Sequence, residues 1–208
     1  MDLSSVTSLH ADWAVPLLMG IGLSACAGFR AWLPLLLVSA LAHFGCLQLN
    51  PSMSALADER VLAALLIATA IEMIGDKVPA LDNALDTAGS FLRPAAGTVV
   101  SSSLLVHADA GVALLLGVIV GGGTALSVHA GKSAVRLTST ASAPVHMGIG
   151  NVALSFAEDG LSIIASAMSV LLPILAGICA VLAVGVCLFM LIRWRRWLKK
   201  RREDRCTA

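Results

Sequence analysis

Four acidic side chains stand close together in a chain that is otherwise largely apolar: Glu72, Asp76, Asp82 and Asp86. Glu72 and Asp76 lie four residues apart, and so do Asp82 and Asp86, so each pair shares one face of a helix. Carboxylates in this arrangement could bind cations, exchange protons or pair with basic side chains. Charge among apolar runs therefore marks this region for a function or for a structural ion pair.

Pro79 disfavours a helix through Val78 and begins a second segment, residues 79–92. Its apolar side chains fall on one helical face, whereas Asp82 and Asp86 fall on the other, which predicts a short amphipathic helix. Such a helix lies at a membrane interface or closes over a polar cavity. Its acidic face suits internal cations or water better than anionic lipid. The alternative is a solvated face without a function.

Two further acids, Glu158 and Asp159, fall inside the apolar run 149–171. An unpaired charge there costs at least about 2.5 to 3.5 kcal/mol, so both must be protonated, paired or hydrated. The alternative is a helix that begins near Glu158, where acids complement the helix dipole. Lys132 and Arg136 match the spacing of Asp82 and Asp86 with the opposite sign.

These charges predict a cluster in which acids face bases across a cytoplasm-facing cavity. Similar clusters form proton relays and ion pathways, and they also serve as static locks between helices. The candidates for a ligand or ion pathway are Arg30, Glu72, Asp76, Lys77, Asp82, Asp86, Arg93, Lys132, Arg136, Glu158 and Asp159.

Metal and cofactor chemistry is less clearly indicated. Asp76, Asp82 and Asp86 are weak candidates for a divalent cation, as in membrane enzymes that act on lipid phosphates. The histidines and the five cysteines lack tight metal-ligand spacing. No catalytic triad or dyad is predicted, and no cofactor is expected.

Composition determines the class of protein. The 208 residues are 58% hydrophobic and 13% charged, with a mean hydropathy of +0.89, whereas soluble domains are about a quarter charged. We therefore predict an all-α integral membrane protein. The apolar runs cover residues 14–28, 31–47, 59–75, 94–107, 110–130, 149–171 and 172–193.

Several of these runs are shorter than the roughly 20 residues that cross a bilayer, which predicts a compact bundle of about seven short or broken helices. Residues 14–47, with Gly28, Arg30 and Pro34 at the join, either cross twice or re-enter. One or two interfacial helices complete the predicted fold. Similar short patterns after Arg30 and Arg93 also suggest an internal repeat.

Glycines mark predicted close contacts between helices, because small residues let backbones approach in lipid. The sharper alternative for the three successive glycines is an unwound segment that lines a site. The candidates for close packing or a backbone site are Gly20, Gly28, Gly121, Gly122 and Gly123.

The two ends predict the topology. Residues 193–208 contain eight Lys and Arg against two acids, so the tail 194–208 is expected in the cytoplasm. If residues 14–193 cross seven times, the tail 1–13 lies outside. The N-terminus has no basic region of a cleaved signal peptide. Nucleic acid is not an expected partner, because basic residues beside a span are explained by topology.

Four stretches resemble a bacterial family of integral membrane proteins classified only as a domain of unknown function: GFRAWLPLL at 28–36, IEMIGDKVPALDNALD at 71–86, FLRPAAG at 91–97 and GGGTALSVHAGKSAVR at 121–136. The resemblance covers most of residues 14–195. It implies a multi-pass bundle in the bacterial inner membrane without an established activity. The recurrent polar positions of the family match ten of the eleven pathway candidates, all except Arg136.

The leading functional prediction is the transport or permeation of a small solute or ion, with the lipid bilayer and that solute as partners and with room for a homo-oligomer. One alternative is a metal-dependent enzyme acting on a lipid or polyprenyl phosphate, and enzyme activity is the less favoured class. Another is a structural or accessory subunit in which the charges only lock helices.

Overall fold

The computed structural model describes residues 3–76, 79–142 and 149–206, with side chains over a smaller part. All regular structure within these ranges is helical. In chain order the α-helices are α1 (Leu3–Phe29), α2 (Trp32–His43), α3 (Glu59–Gly75), α4 (Pro79–Leu104), α5 (Ala110–Leu116), α6 (Gly123–Ser142), α7 (Ile149–Leu171) and α8 (Pro173–Cys206). A 3₁₀ helix, Pro51–Ala57, precedes α3, and a π-helical turn, Gly117–Gly122, joins α5 to α6.

Helix α1 is central and packs against α4, α6, α7 and α8. Its buried side chains are mostly small, among them Ser24, Cys26 and Ala27. Small side chains let neighbouring backbones approach closely. The Oγ of Ser24, for example, donates a hydrogen bond to the carbonyl of Gly97 in α4 at 2.9 Å.

The helical structure is interrupted at Arg30 and Ala31, between α1 and α2. Residues 14–47 therefore form one long and one short helix. At 1.5 Å per residue the 12 residues of α2 extend about 18 Å, less than the roughly 30 Å of a bilayer core. Of the two alternatives for this stretch, α2 has the length of a re-entrant segment.

One expected helix boundary needs correction. The sequence predicts an interfacial amphipathic helix over 79–92, followed by a separate apolar span over 94–107. In the structure one continuous helix, α4, covers both segments up to Leu104. Pro94 removes only one backbone donor from α4, and the Oγ1 of Thr98 donates to its carbonyl at 2.9 Å. Helix α7 has the bounds of the predicted apolar run 149–171 and begins about two and a half turns before Glu158, which excludes the alternative that Glu158 and Asp159 are first-turn residues.

The glycines have different surroundings. A Cβ added to Gly28 would lie 2.7 Å from the carbonyl oxygen of Ala125, and one added to Gly20 would lie 3.0 Å from the Oγ of Ser101.

Gly121 lies against the backbone of Gly97, so α4 and the π-helical turn touch directly. The turn remains helical, and the unwound alternative does not hold. A Cβ added to Gly122 would lie 2.7 Å from the Oγ1 of Thr98, whereas one added to Gly123 would meet nothing within 4 Å.

Gly121→Ala should destabilise the protein, and Gly123→Ala provides a matched control two residues away. The alanine methyl at position 121 would lie 2.6 Å from the Cβ of Ser101 and against the backbone of Gly97. Overpacking of this kind costs about 1 to 3 kcal/mol. Thermal unfolding of the purified proteins should show a lower midpoint for Gly121→Ala and an equal or higher one for Gly123→Ala. Equal midpoints for Gly121→Ala and wild type would contradict this contact.

Candidate functional site

The interior of the bundle is unusually rich in charge. Seven Asp, Glu, Lys and Arg side chains among the described residues are at most 8% exposed, and they come from α3 and the residue after it, from α4, α6 and α7, and from the join between α1 and α2. They are Arg30, Glu72, Asp76, Arg93, Lys132, Glu158 and Asp159. Buried charges of this kind persist only where partners neutralise them.

Arg30 is fully buried at the join between α1 and α2 and binds two carboxylates. Its Nη1 lies 2.5 Å from the Oδ2 of Asp76, at the end of α3. Its Nη2 lies 2.5 Å from the Oδ1 of Asp159, in α7. The guanidinium presents planar donors that suit this two-sided pairing. A single side chain thus ties three parts of the fold together.

Glu72 completes the start of α2. Its Oε1 accepts a hydrogen bond from the backbone nitrogen of Ala31 at 3.0 Å, and its Oε2 accepts one from Trp32 at 3.2 Å. The first amides of a helix have no partner within the helix, and they favour negative charge. The backbone carbonyl of Glu72 also accepts from the Nη1 of Arg30 at 3.4 Å. A carboxylate from α3 therefore caps α2.

Lys132 caps the C-terminal end of α1. Its Nζ lies 2.7 Å from the Oε2 of Glu158 and donates to the carbonyl of Phe29 at 3.5 Å. Phe29 is the last residue of α1, and cations stabilise the negative end of a helix. At the interruption between α1 and α2, a carboxylate therefore lies at the start of α2 and an ammonium group lies at the end of α1.

Arg93 forms a second centre beside this cluster. Its Nη1 contacts the Nδ1 of His129, and the Nε2 of His129 lies 3.3 Å from the Oγ of Ser90. A guanidinium only donates, so the Nδ1 of His129 is the acceptor and its imidazole is neutral in this contact. Arg93 and His129 join α4 to α6.

The structure brings together six of the eleven pathway candidates: Arg30, Glu72, Asp76, Lys132, Glu158 and Asp159. Arg93 lies in the neighbouring centre. Lys77 lies outside the described residues, and the side chains of Asp82, Asp86 and Arg136 lie outside the described side chains.

Sequence reasoning missed His129 and the buried serines of α7. His129 lies three residues before Lys132 and therefore on the same face of α6, a spacing that could have linked it to the cluster. Ser162, Ser166 and Ser169 recur at helical spacing after Asp159, a pattern visible in the sequence. Serine in an apolar helix is usually read as a small packing residue, which hides this signal.

Metal binding finds no support among the described side chains, which contain no group of three or more His, Cys, Asp or Glu that could hold an ion. Asp76, one of the three weak metal candidates, binds Arg30.

A family model described as a domain of unknown function, DUF4126, matches residues 17–193. The chain belongs to the DUF4126 family. No curated protein and no solved structure matches it. The DUF4126 match covers α2 to α7 completely, and with them every residue of the charge cluster. Within the part of this DUF4126 chain that the structure describes, two helical stretches are long and apolar enough to cross a membrane, Ala110–Ser133 and Pro173–Met190.

Lys132→Met should destabilise the protein by about 3 to 5 kcal/mol, because it leaves Glu158 buried without its cation. Adding Glu158→Gln should recover most of this loss, since the remaining side chain is neutral. The free energies of unfolding of the wild type, the two single variants and the double variant are compared in a double-mutant cycle. Strictly additive losses would show that the two residues do not depend on each other.

Proposed function

We propose that this DUF4126 protein is a multi-pass protein of the bacterial inner membrane that transports or conducts a small solute or ion through the charge cluster. The membrane location is supported by the distribution of polar and apolar side chains, and the transport activity by the interruption between α1 and α2.

The distribution of polarity supports the membrane location. The buried face of α7 contains Glu158, Asp159 and Ser162, whereas Leu161 and Ile164 of the same helix are exposed. Exposed large apolar side chains continue along α3, the π-helical turn and α8. A soluble protein rarely exposes apolar surface on this scale, whereas a bilayer requires it. Besides the two long apolar stretches, Trp13–Phe29 and Trp32–His43 are shorter apolar helices.

The break at Arg30 carries the proposal of transport. Transporters place binding sites where helices are interrupted, because the free helix ends present partial charge to a solute. Here Glu72 occupies the positive end of α2 and Lys132 occupies the negative end of α1. A charged solute that entered would exchange with one of these side chains or with Glu158. Charges that are paired in the absence of a solute can then be released in its presence.

The same geometry supports a proposed topology. The cluster lies at the ends of α1 and α3, and Asn50 binds the carbonyls of Leu105 and Ala108 between the loops that follow α2 and α4. Asp58, Glu59 and Asp109 fall in or beside these loops. Under the positive-inside rule we assign the cluster to the cytoplasmic side, together with the basic C-terminus.

A structural role is the second candidate, because each described ion pair joins different parts of the bundle. Arg30 alone connects the join between α1 and α2 to the end of α3 and to α7. In a purely structural protein these pairs would hold the helices together and nothing would pass.

Flux through purified protein in liposomes separates the two candidates. The liposomes are loaded with a panel of small inorganic ions, organic anions and uncharged polar metabolites, and the release of each is followed against empty liposomes. We expect Glu158→Gln to reduce release of at least one solute about tenfold, which corresponds to about 1.4 kcal/mol in the barrier. Glu59→Gln, the same change at an exposed acid of α3, should release solute like wild type.

Release that is equal in wild type and Glu158→Gln would contradict transport through this cluster. Lack of release of any solute, together with recovery of stability by the exchanged pair Lys132→Glu and Glu158→Lys, would favour the structural role.

A further inference from the structure

The seam between α1 and α7 contains buried polar groups that neither the ion pairs nor the helix caps use. On α7 the hydroxyls of Ser162, Ser166 and Ser169 follow Asp159 at steps of three or four residues. All three serines are at most 1% exposed. Their spacing places them in one line along the helix.

The opposite side of the seam is α1 with Arg30 after it. The register is antiparallel, because Gly22 lies against Ser169, Cys26 lies beside Ser166 and Arg30 binds Asp159. These α1 residues also recur every four positions. The line of hydroxyls thus runs inside the bundle and ends at the charge cluster.

The hydroxyl of Ser162 has no hydrogen-bond partner among the described residues, and the hydroxyl of Ser166 has only the neighbouring thiol of Cys26, a weak donor and acceptor. Ser169, in the same helix, donates to the carbonyl of Ala165 at 2.7 Å, which is the usual solution for a serine in an apolar helix. Ser162 and Ser166 do not adopt it. A buried hydroxyl without a partner is costly, and ordered water is the common remedy.

Water fits the spacing. Neighbouring Cβ atoms along a helix face are about 5 to 6 Å apart. Two hydrogen bonds of about 2.8 Å each let one water bridge such a gap. Bridging waters between Asp159, Ser162 and Ser166 would therefore form a continuous hydrogen-bonded chain.

We infer that the α1–α7 seam binds a chain of water molecules that conducts protons to the carboxylate of Asp159. The inference rests on the proposed transport function and names the proton as an ion that this site carries. Each water accepts one proton and passes one on, and Asp159 accepts the last, so no further reactant is needed.

Protonation of Asp159 changes the contacts that hold α7 in the bundle. Neutralising Asp159 removes its attraction to Arg30, which remains bound to Asp76. Glu158 is held by Lys132, and Glu72 caps α2. Two other helices pack against α7: α2 contains one titratable side chain, His43 in its last turn, and residues 173–190 of α8 contain no charged side chain. Protonation of Asp159 therefore weakens the attachment of α7 to the residues between α1 and α2.

The test is proton flux into liposomes that contain the full-length protein and a pH-sensitive dye, driven by a potassium gradient with valinomycin. Ser162→Ala removes one link of the chain, and we expect it to lower the flux about tenfold, the effect of losing one hydrogen bond of typical strength. Ser166→Ala makes the same test at the next link if Ser162→Ala does not fold. Ser103→Ala is the control, because this buried hydroxyl bonds within α4 to the carbonyl of Val100 and should leave the flux unchanged.

Wild-type flux that survives both Ser162→Ala and Ser166→Ala would overturn the inference. So would the lack of proton flux through wild type. In that case the release of other solutes in the same preparation distinguishes the outcomes: release that depends on Glu158 leaves the transport function standing, and no release removes both.

Discussion

Burial of the Arg30 guanidinium is the constraint on which the rest of the structure depends. A permanent positive charge with 0% exposure requires anions within contact distance. Asp76 and Asp159 provide them from the end of α3 and from α7. The position of both helices relative to α1 follows from this single requirement.

The break in the chain beside Arg30 imposes a second condition. Two helix ends are buried there, and the free amides and carbonyls of buried ends need partners. Glu72 serves the start of α2, and Lys132 serves the end of α1. The acids and bases of the cluster therefore compensate the backbone as well as each other, which explains why so much charge is concentrated at this one place.

The sequence was sufficient to predict the all-helical fold, because long apolar runs with glycine and small residues leave few alternatives. Much of the site was also predictable: Glu72 and Asp76 share a helix face, and Glu158 and Asp159 need partners wherever α7 lies. The pairing itself was not, because the choice of Asp159 by Arg30 and of Glu158 by Lys132 depends on how α7 packs against α1. The continuity of α4 through Pro94 likewise depends on tertiary contacts, which propensity does not include. His129 was missed for the same reason, since its partner Arg93 comes from another helix.

The most direct test of the central claim asks which faces of α7 meet lipid and water. A spin label at Ile164, whose side chain is 64% exposed, is introduced into liposome-embedded protein whose native cysteines have been replaced. A polar interior enclosed by lipid predicts that the label relaxes with dissolved oxygen and not with a water-soluble nickel chelate. A label at Ile164 that is accessible to the nickel chelate would show that this apolar face meets water, and it would contradict a charge cluster sheltered within a bilayer.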